Sequence, residues 1–197
     1  MSGSILEQRQ REFDKYREAY KVPNYRMRQW RVNRFKDYLK SIQKKGYVSM
    51  LDVGCGRGQA LDLAKAHGFK AVQGVEVVSY LCKRDDVMLI QGAQELPFET
   101  GAFQVVVATD VMEHILLPDV PLVLAEIFRV AAKEVHLTIS HKHDAGNLHV
   151  CVQPREWWLE KIRQYAPENA TITVDSDKMT PHIKLPCSHL QVEWPHA

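Results

Sequence analysis

The sequence predicts an α/β fold, a doubly wound and mostly parallel sheet with helices on both faces, preceded by a helical N-terminal arm. Three observations support this prediction. Apolar, β-rich runs alternate with helical patterns from about residue 47 onward. One run, Phe103 to Val111, is almost continuously apolar, as expected for a strand buried on both faces. Three glycines follow the first run at alternate positions, where a strand must turn into a helix. The 197 residues suffice for one domain with a substantial core.

The elements follow in order along the chain. The first strand is predicted over residues 47–54, and the helix after it ends at Gly68. A later helix begins at Pro154, because proline is tolerated in the first turn. Further strands are predicted at 71–78, 87–92, 103–111 and 134–140, a helix at 117–131, and two short, antiparallel strands at 170–177 and 189–194.

The N-terminal arm, residues 1–46, differs in charge from the domain predicted over residues 47–197. The arm holds 13 lysines and arginines against 5 acidic residues, whereas the remainder holds 13 against 19. Trp30, Arg34 and Tyr38 recur at helical spacing, which favours an amphipathic helix with a solvated charged face. The alternative is a basic, aromatic surface that binds an anionic ligand or nucleic acid.

Several classes of protein are excluded by composition. No apolar run approaches the length of about eighteen residues that a membrane span needs. The first twenty residues are too charged for a secretory signal. The four cysteines are scattered without a C-x-x-C motif, which is typical of a reduced, cytoplasmic chain. We therefore expect a cytoplasmic protein without a membrane span.

The three glycines of the first turn are Gly54, Gly56 and Gly58. A tight turn alone explains one of them, so the pattern favours a nucleotide-like ligand held against the backbone. The spacing departs from the dinucleotide fingerprint, because Gln59 occupies the position of its last glycine. The Gly-Lys-Ser/Thr triplet of a phosphate-binding loop is also absent from the sequence.

Two acidic residues narrow the choice of ligand. Asp52 precedes the glycines, and a carboxylate there repels a pyrophosphate but suits an ammonium or sulfonium cation. Glu76 ends the second predicted strand, where a carboxylate can accept both hydroxyls of a ribose. An adenosyl group with a cationic amino-acid tail describes S-adenosylmethionine.

Four motifs in order, "LDVGCGRG", Glu76, "QGAQELPF" and "TDVMEHI", closely resemble those of class I S-adenosylmethionine-dependent methyltransferases of the type 11/12-like group. The resemblance covers about residues 48–140 and implies a Rossmann-like methyltransferase fold. The family commonly has "GDA" before "ELPF", so the usual aspartate acceptor of the adenine amino group is absent here, and Gln94 is expected to supply the acceptor. The cofactor contacts that the resemblance implies are Asp52, Gly54, Cys55 and Gly56 around the methionine end, Glu76 at the ribose, Val77, Ala93 and Gln94 at the adenine, and Asp110.

The D-x-x-E-H motif at the end of the fourth strand has two interpretations. In the simpler one, His114 packs under the cofactor and Asp110 caps the following helix. In the other, Asp110, Glu113 and His114 bind Mg²⁺, Mn²⁺ or Zn²⁺ together with a later histidine. The motif resembles E-x-x-E-H in ubiquinone-pathway O-methyltransferases and in small-RNA 3′-terminal ribose methyltransferases. In the latter a later histidine joins the metal, and the similar spacing of "LHVCVQPREWW" nominates His149. The catalytic candidates are His114, His149 and Asp110, with a histidine as general base if no metal binds.

Substrate choice is expected in the N-terminal arm. Tyr16, Tyr20 and Tyr25 are candidates for a lid over the cofactor, as in similar arms of this family, and Arg26, Arg28 and Arg31 for contacts with an anionic substrate. Farther along the chain, the Trp157-Trp158 pair either lines the substrate pocket or, as we expect for at least one of the two, packs the last helix on the sheet.

Three functions agree with these patterns. The first is O-methylation of a small molecule, such as a sugar or other polyol with an anionic handle. The second is methylation of a ribose 2′-hydroxyl of RNA, supported by the basic arm and by the D-x-x-E-H motif with its later histidine. The third is a non-catalytic partner protein that binds S-adenosylmethionine. The sequence favours the first.

Overall fold

The computed structural model describes residues 3–22, 29–144, 146–174 and 181–184. Within these residues the chain forms a single sheet flanked by helices. The strands are β1 (Ser49–Val53), β2 (Ala71–Glu76), β3 (Val87–Leu89), β4 (Phe103–Thr109), β5 (Ala131–Thr138), β6 (Thr171–Val174) and β7 (Pro181–Lys184). The helices are α1 (Ile5–Ala19), α2 (Gln29–Gln43), α3 (Gln59–Ala66), α4 (Val120–Val130) and α5 (Arg155–Tyr165).

The sheet has the strand order β3-β2-β1-β4-β5-β7-β6. Strands β1 to β5 are parallel, whereas β7 runs antiparallel to both of its neighbours. The predicted α/β fold, doubly wound and mostly parallel, is therefore confirmed. The order reverses where β1 lies between β2 and β4, and ligands of such sheets bind outside the carboxyl ends at this switch point.

The C-terminal strands differ from the prediction. The strand expected at 170–177 is present as β6, but its antiparallel partner is β7, which the sequence analysis did not predict. β7 has four residues and begins with a proline, so it carries too short an apolar alternation to be recognised. The strand predicted at 189–194 lies outside the described residues.

Helices cover both faces of the sheet. On one face α4 and α5 bury Ile127, Trp158 and Ile162 against the strands. Trp158 is fully buried, which agrees with the packing interpretation of the tryptophan pair. On the other face α2 and α3 bury Leu39 and Leu61. None of the described helices is long and apolar enough to cross a membrane.

The two helices of the N-terminal arm are held differently. Phe35, Tyr38, Leu39 and Ile42 of α2 are buried, so α2 is part of the packed domain. By contrast, α1 contains no buried residue. It begins with a capping box, in which Glu7 donates its backbone N–H to Ser4 and accepts from the Ser4 N–H. Apolar burial thus anchors α2, whereas α1 depends on polar and partly buried contacts.

Candidate functional site

A cleft of about 750 Å³ lies at the switch point, at the carboxyl ends of β1, β2 and β4. The lining residues come from α1 and from the sheet edge: Glu12, Phe13, Tyr16, Tyr20, Val53, Gly54, Val75, Glu76, Val77, Ile90, Gly92, Ala93, Gln94, Asp110, Val111, His114 and Ile115.

The glycine turn forms one wall of the cleft. Gly54 has φ 71° and Gly56 has φ 54°, in the left-handed region that favours glycine. A Cβ atom on Gly54 would lie 2.7 Å from the Val111 side chain, and one on Gly56 would collide with the Tyr20 hydroxyl. The backbone N–H of Gly54 donates to the Val75 carbonyl at 2.9 Å, which ties the turn to β2. The turn is therefore tight, as the sequence predicts, and the side chains of Val111 and Tyr20 approach it closely.

Glu76 is buried at the end of β2 and held by three backbone donors. Its Oε2 accepts from the Gly56 N–H at 2.8 Å, and its Oε1 accepts from Val77 at 2.8 Å and Val78 at 3.1 Å. Burial raises the pKa of Glu76, and these hydrogen bonds oppose the rise. A carboxylate has about four acceptor positions, so one is left for a ligand hydroxyl, whereas the sequence prediction needs two for the ribose.

Asp52 is the penultimate residue of β1, beside the same turn, and is 2% exposed. None of the described residues donates a hydrogen bond to its Oδ1 atom. Burial, reinforced by the nearby charge of Glu76, raises the pKa of Asp52 well above its usual value. A buried carboxylate oxygen without a donor is costly. Asp52 is not among the residues that line the cleft, so its contact with the cationic end of the cofactor stays a prediction.

The other predicted cofactor residues divide into two groups. Val77, Ala93 and Gln94 line the cleft beside Ile90, at the end where adenine is expected. The side chain of Cys55 instead packs into the core under α2 and α3, where burial raises the pKa of its thiol. Any contact of Cys55 with a cofactor must therefore come from its backbone.

Three of the four predicted metal ligands converge after β4. Glu113 and His114 lie in a short 3-10 turn, Met112–His114, and His149 follows the loop after β5. One ligand atom from each of these three residues lies within 4.8 Å of the others. Glu113 Oε1 accepts from the Ser140 N–H at 3.1 Å, but the fully buried Oε2 has no hydrogen-bond partner in the part of the chain that the structure describes.

Backbone carbonyls orient both histidines of this Glu113–His114–His149 cluster. His114 Nδ1 lies 2.9 Å from the Leu148 carbonyl, and His149 Nδ1 lies 2.6 Å from that of Lys142. A carbonyl only accepts, so each Nδ1 carries a proton, and the neutral form of either ring would have its lone pair on Nε2. Burial, together with the neighbouring His149, lowers the pKa of His114 to about 3, and burial raises the pKa of Glu113 to about 7. A neutral imidazole oriented by a carbonyl is the form that ligates metals.

Asp110 lies apart from this cluster. It has a left-handed backbone with φ 56° and lines the cleft. Its Oδ2 forms an ion pair with Arg31 of α2, and its Oδ1 accepts from the Thr138 hydroxyl at 3.3 Å. Asp110 also makes no capping hydrogen bond to the following 3-10 turn, whose N-cap is Val111. The sequence analysis interpreted Asp110 either as a metal ligand or as a helix cap. In the structure its carboxylate instead binds Arg31.

Helix α1 covers the cleft. Tyr16 donates from its hydroxyl to the Leu148 carbonyl at 3.2 Å, and its ring meets the His114 ring edge-on at 4.9 Å. Tyr16 and Tyr20 were predicted to lie over the cofactor, whereas Phe13 was missed, although the three share one helical face. The predicted residues Tyr25, Arg26 and Arg28 lie outside the described residues.

Comparison with known proteins identifies the class of protein. Residues 8–186 match the model of a family described as a methyltransferase domain, and the chain belongs to this family. It is an S-adenosylmethionine-dependent methyltransferase, as the cleft and the motifs predict. Among the curated proteins, none matches this chain significantly in sequence.

Solved structures share the fold at low identity. A protein from Pyrococcus horikoshii has a TM-score of 0.67 and 16% identity, over 86% of this chain and 98% of its own. CalH, a trans-methyltransferase solved with S-adenosylhomocysteine, has a TM-score of 0.58 and 11% identity, over 77% of this chain and 55% of its own. Phosphoethanolamine N-methyltransferase 2 of Haemonchus contortus, solved with S-adenosylmethionine, has a TM-score of 0.53 and 18% identity, over 70% of this chain and 38% of its own.

Proposed function

We propose that this methyltransferase methylates an oxygen atom of a small anionic molecule. The observation that carries the proposal is the Glu113–His114–His149 cluster, which borders the cleft through His114. In the reaction, the bond between methyl carbon and sulfonium sulfur breaks as the bond to the acceptor oxygen forms. The hydroxyl proton leaves, and S-adenosylhomocysteine is the second product. A hydroxyl needs help to lose this proton, and a cluster of carboxylate and imidazole groups supplies such help.

The same cluster supports a divalent cation. The donor set has two imidazole nitrogens and one carboxylate oxygen, and its fully buried Glu113 Oε2 lacks a partner among the described side chains and backbone. Such mixed ligands favour Zn²⁺ or Mn²⁺ over Mg²⁺, which prefers oxygen. When bound, such an ion polarises a hydroxyl and lowers its pKa. If no ion binds, His149 is the candidate general base.

Positive charge near the acceptor supports an anionic substrate. Arg31 lies beside the cleft, where Asp110 holds its guanidinium, and its side chain is 30% exposed. The charge of Arg31 also acts on Glu113, whose pKa it lowers against the effect of burial.

The charges of the arm argue against nucleic acid as the substrate. Many of its cations are neutralised by an acidic neighbour on the same helix or by a carboxylate of the domain. These pairs are Lys15–Glu12, Arg17–Asp14, Lys21–Glu18, Lys40–Asp37, Arg9–Asp119 and Lys45–Glu134. Nucleic-acid binding gains free energy when protein cations displace the counterions of the phosphate backbone. Cations that are already paired with carboxylates displace fewer counterions, so this contribution to the binding free energy is smaller.

Methylation of an RNA ribose hydroxyl is the second candidate function. The observation in its favour is that Glu113, His114 and His149 converge, as the resemblance to the small-RNA enzymes implies. The third possibility, a non-catalytic partner protein, is disfavoured because the chain belongs to a methyltransferase family.

Of the N-terminal arm, we propose that only α1 acts as a lid. Glu12, Phe13, Tyr16 and Tyr20 line the cleft from α1, whereas α2 is buried in the domain. Because α1 has no buried residue, it can separate from the cleft without exposing a core. The lid therefore provides a route for cofactor exchange.

The first experiment is transfer of radiolabelled methyl from S-adenosylmethionine to fractions of a cell extract. Label is expected in the small-molecule fraction. With an anionic acceptor from that fraction, Arg31→Gln should raise KM. Lys40→Ala, which removes an exposed charge from the same helix, should leave KM unchanged. Label in the nucleic-acid fraction that disappears with nuclease would instead support the RNA function. Label in neither fraction would contradict the proposal.

The proposed metal site is tested by a binding measurement that does not depend on methyl transfer. Protein dialysed against Zn²⁺ or Mn²⁺ and then against buffer should retain about one ion, measured by elemental analysis. Glu113→Ala and His149→Ala should lose the ion, whereas His143→Ala, an exposed histidine of the same loop, should keep it. Equal retention by all four proteins, or by none, would contradict the metal site.

A further inference from the structure

A chain of three side chains joins α1 to the adenine end of the cleft. Arg9 of α1 donates to Asp119 through Nε at 2.8 Å and Nη2 at 2.6 Å. Gln94, from the loop after β3, donates to the same carboxylate through Nε2 at 2.9 Å. Asp119 is the N-cap residue of α4 and is 2% exposed, so this carboxylate lies between the lid and the cleft.

Asp119 determines which way the Gln94 amide faces. An ionised carboxylate has only acceptors, so the Gln94 atom that touches it must be the NH₂ group. Ionisation is favoured because Arg9 lowers the pKa of Asp119. The Gln94 carbonyl must then face away from Asp119. It lies beside Gly92, where a Cβ atom would collide with Oε1, and both residues line the cleft.

This orientation matters because a carboxamide has two unlike ends. A free glutamine can turn either its carbonyl or its NH₂ group toward a ligand, and only the carbonyl accepts from an amino group. The "QGAQ" loop, Gln91 to Gln94, contains no carboxylate that could accept from the adenine amino group. Fixing the amide therefore supplies the acceptor that the loop otherwise lacks.

We propose that Asp119 is a positioning residue that holds the Gln94 carbonyl toward the adenine amino group, and that it couples this recognition to the closure of α1 through Arg9. The proposal rests on the use of S-adenosylmethionine and not on the identity of the methyl acceptor. When α1 leaves, the buried carboxylate of Asp119 loses its cation, and its hold on Gln94 weakens. By thermodynamic reciprocity, adenine binding must then favour the closed position of α1.

The test is a double-mutant cycle on the affinity for S-adenosylhomocysteine, measured by calorimetry. Gln94→Ala should weaken binding about tenfold in the wild-type background, the effect of one hydrogen bond. In an Asp119→Ala background the same change should cost less than about twofold, because the amide is no longer oriented. Asp119→Asn, which keeps an acceptor for Gln94, should instead preserve most of the tenfold cost, and Asp119→Leu, which has no acceptor, replaces Asp119→Ala if that variant does not fold.

Two further measurements isolate the adenine amino group and the lid. The wild type should prefer S-adenosylhomocysteine to its hypoxanthine analogue by about tenfold, and Gln94→Ala should abolish the preference. Hydrogen exchange should show α1 protected when S-adenosylhomocysteine binds. Arg9→Gln should reduce that protection, whereas Arg11→Gln, a matched change on the same helix, should not.

The outcomes separate this proposal from the proposed function. Independent, multiplicative effects of Gln94→Ala and Asp119→Ala on an otherwise normal affinity would overturn the positioning role alone. Protection of α1 that is equal in Arg9→Gln and the wild type would overturn the coupling. Failure of the wild type to bind S-adenosylhomocysteine would overturn both this proposal and the proposed function.

Discussion

The pH dependence of stability provides a direct test of the environment of Glu113. This residue is 0% exposed, and burial raises its pKa to about 7 from a usual value of 4.5. A carboxyl group whose pKa is raised by folding stabilises the protein below its unfolded pKa, and that contribution is lost as the pH rises through the folded pKa. Between pH 5 and pH 8 the loss amounts to about 2 to 3 kcal/mol, since each pKa unit corresponds to about 1.4 kcal/mol.

The variant Glu113→Gln removes this titration while keeping the shape of the side chain. We expect the difference in unfolding free energy between variant and wild type to shift by about 2 to 3 kcal/mol in favour of the variant from pH 5 to pH 8. Any cost of burying the amide does not depend on pH, so it cancels when the two pH values are compared. The titration of His114, whose pKa burial lowers, cancels when the variant is compared with the wild type.

Urea unfolding in the presence of a chelator measures these free energies, because a bound cation would compensate the charge of Glu113. A difference that stays constant between pH 5 and pH 8 would refute the account of Glu113 as a buried carboxylate lacking compensation.

Three further predictions concern the cleft and the surface. Glu76→Ala should weaken S-adenosylhomocysteine binding at least tenfold in calorimetry, and an unchanged affinity would exclude the ribose contact. Gly56→Ala should lower the melting temperature and the protection of α1 in hydrogen exchange, since its Cβ collides with Tyr20 in a left-handed turn; a variant with both unchanged would contradict this geometry. Asp86, whose pKa Arg84 lowers, should stabilise the fold above about pH 4 and lose this effect as the pH falls. Asp86→Asn should therefore cost up to about 1 kcal/mol in urea unfolding at pH 7 and clearly less near pH 2, where an equal cost would count against the ion pair.

Local patterns sufficed to predict much of the fold and of the cofactor side of the cleft. Strands β1, β2 and β4 are apolar runs with clear ends, and the parallel arrangement brings their carboxyl ends to one edge. Because Gly54 and Glu76 come at the ends of β1 and β2, their positions in the chain suffice to predict that both lie at this edge of the sheet. The prediction that His149 joins Glu113 and His114 came from a resemblance, and the structure brings the three together.

Contacts between distant segments could not be predicted in this way. Asp110 looks like a ligand in the D-x-x-E-H motif, but a guanidinium that lies 79 positions earlier, Arg31, holds its carboxylate. Similarly, nothing in "LPDVP" shows that Asp119 faces both Arg9 and Gln94. Such pairs depend on how α1 and α2 lie on the sheet, and amphipathic spacing specifies only which face of a helix is apolar.

The contacts of α1 reach both ends of the cleft, so the lid that we propose would do more than exclude water. At the adenine end, Arg9 binds Asp119. At the reacting end, Tyr16 donates to the Leu148 carbonyl, the same oxygen that accepts from His114 Nδ1. Closing α1 therefore adds a second donor to the group that fixes the His114 tautomer. Because α1 contributes no buried side chain, these contacts and its cleft-facing rings carry most of the free energy of closure. A cofactor that strengthens either end must then stabilise the other, since both belong to one helix.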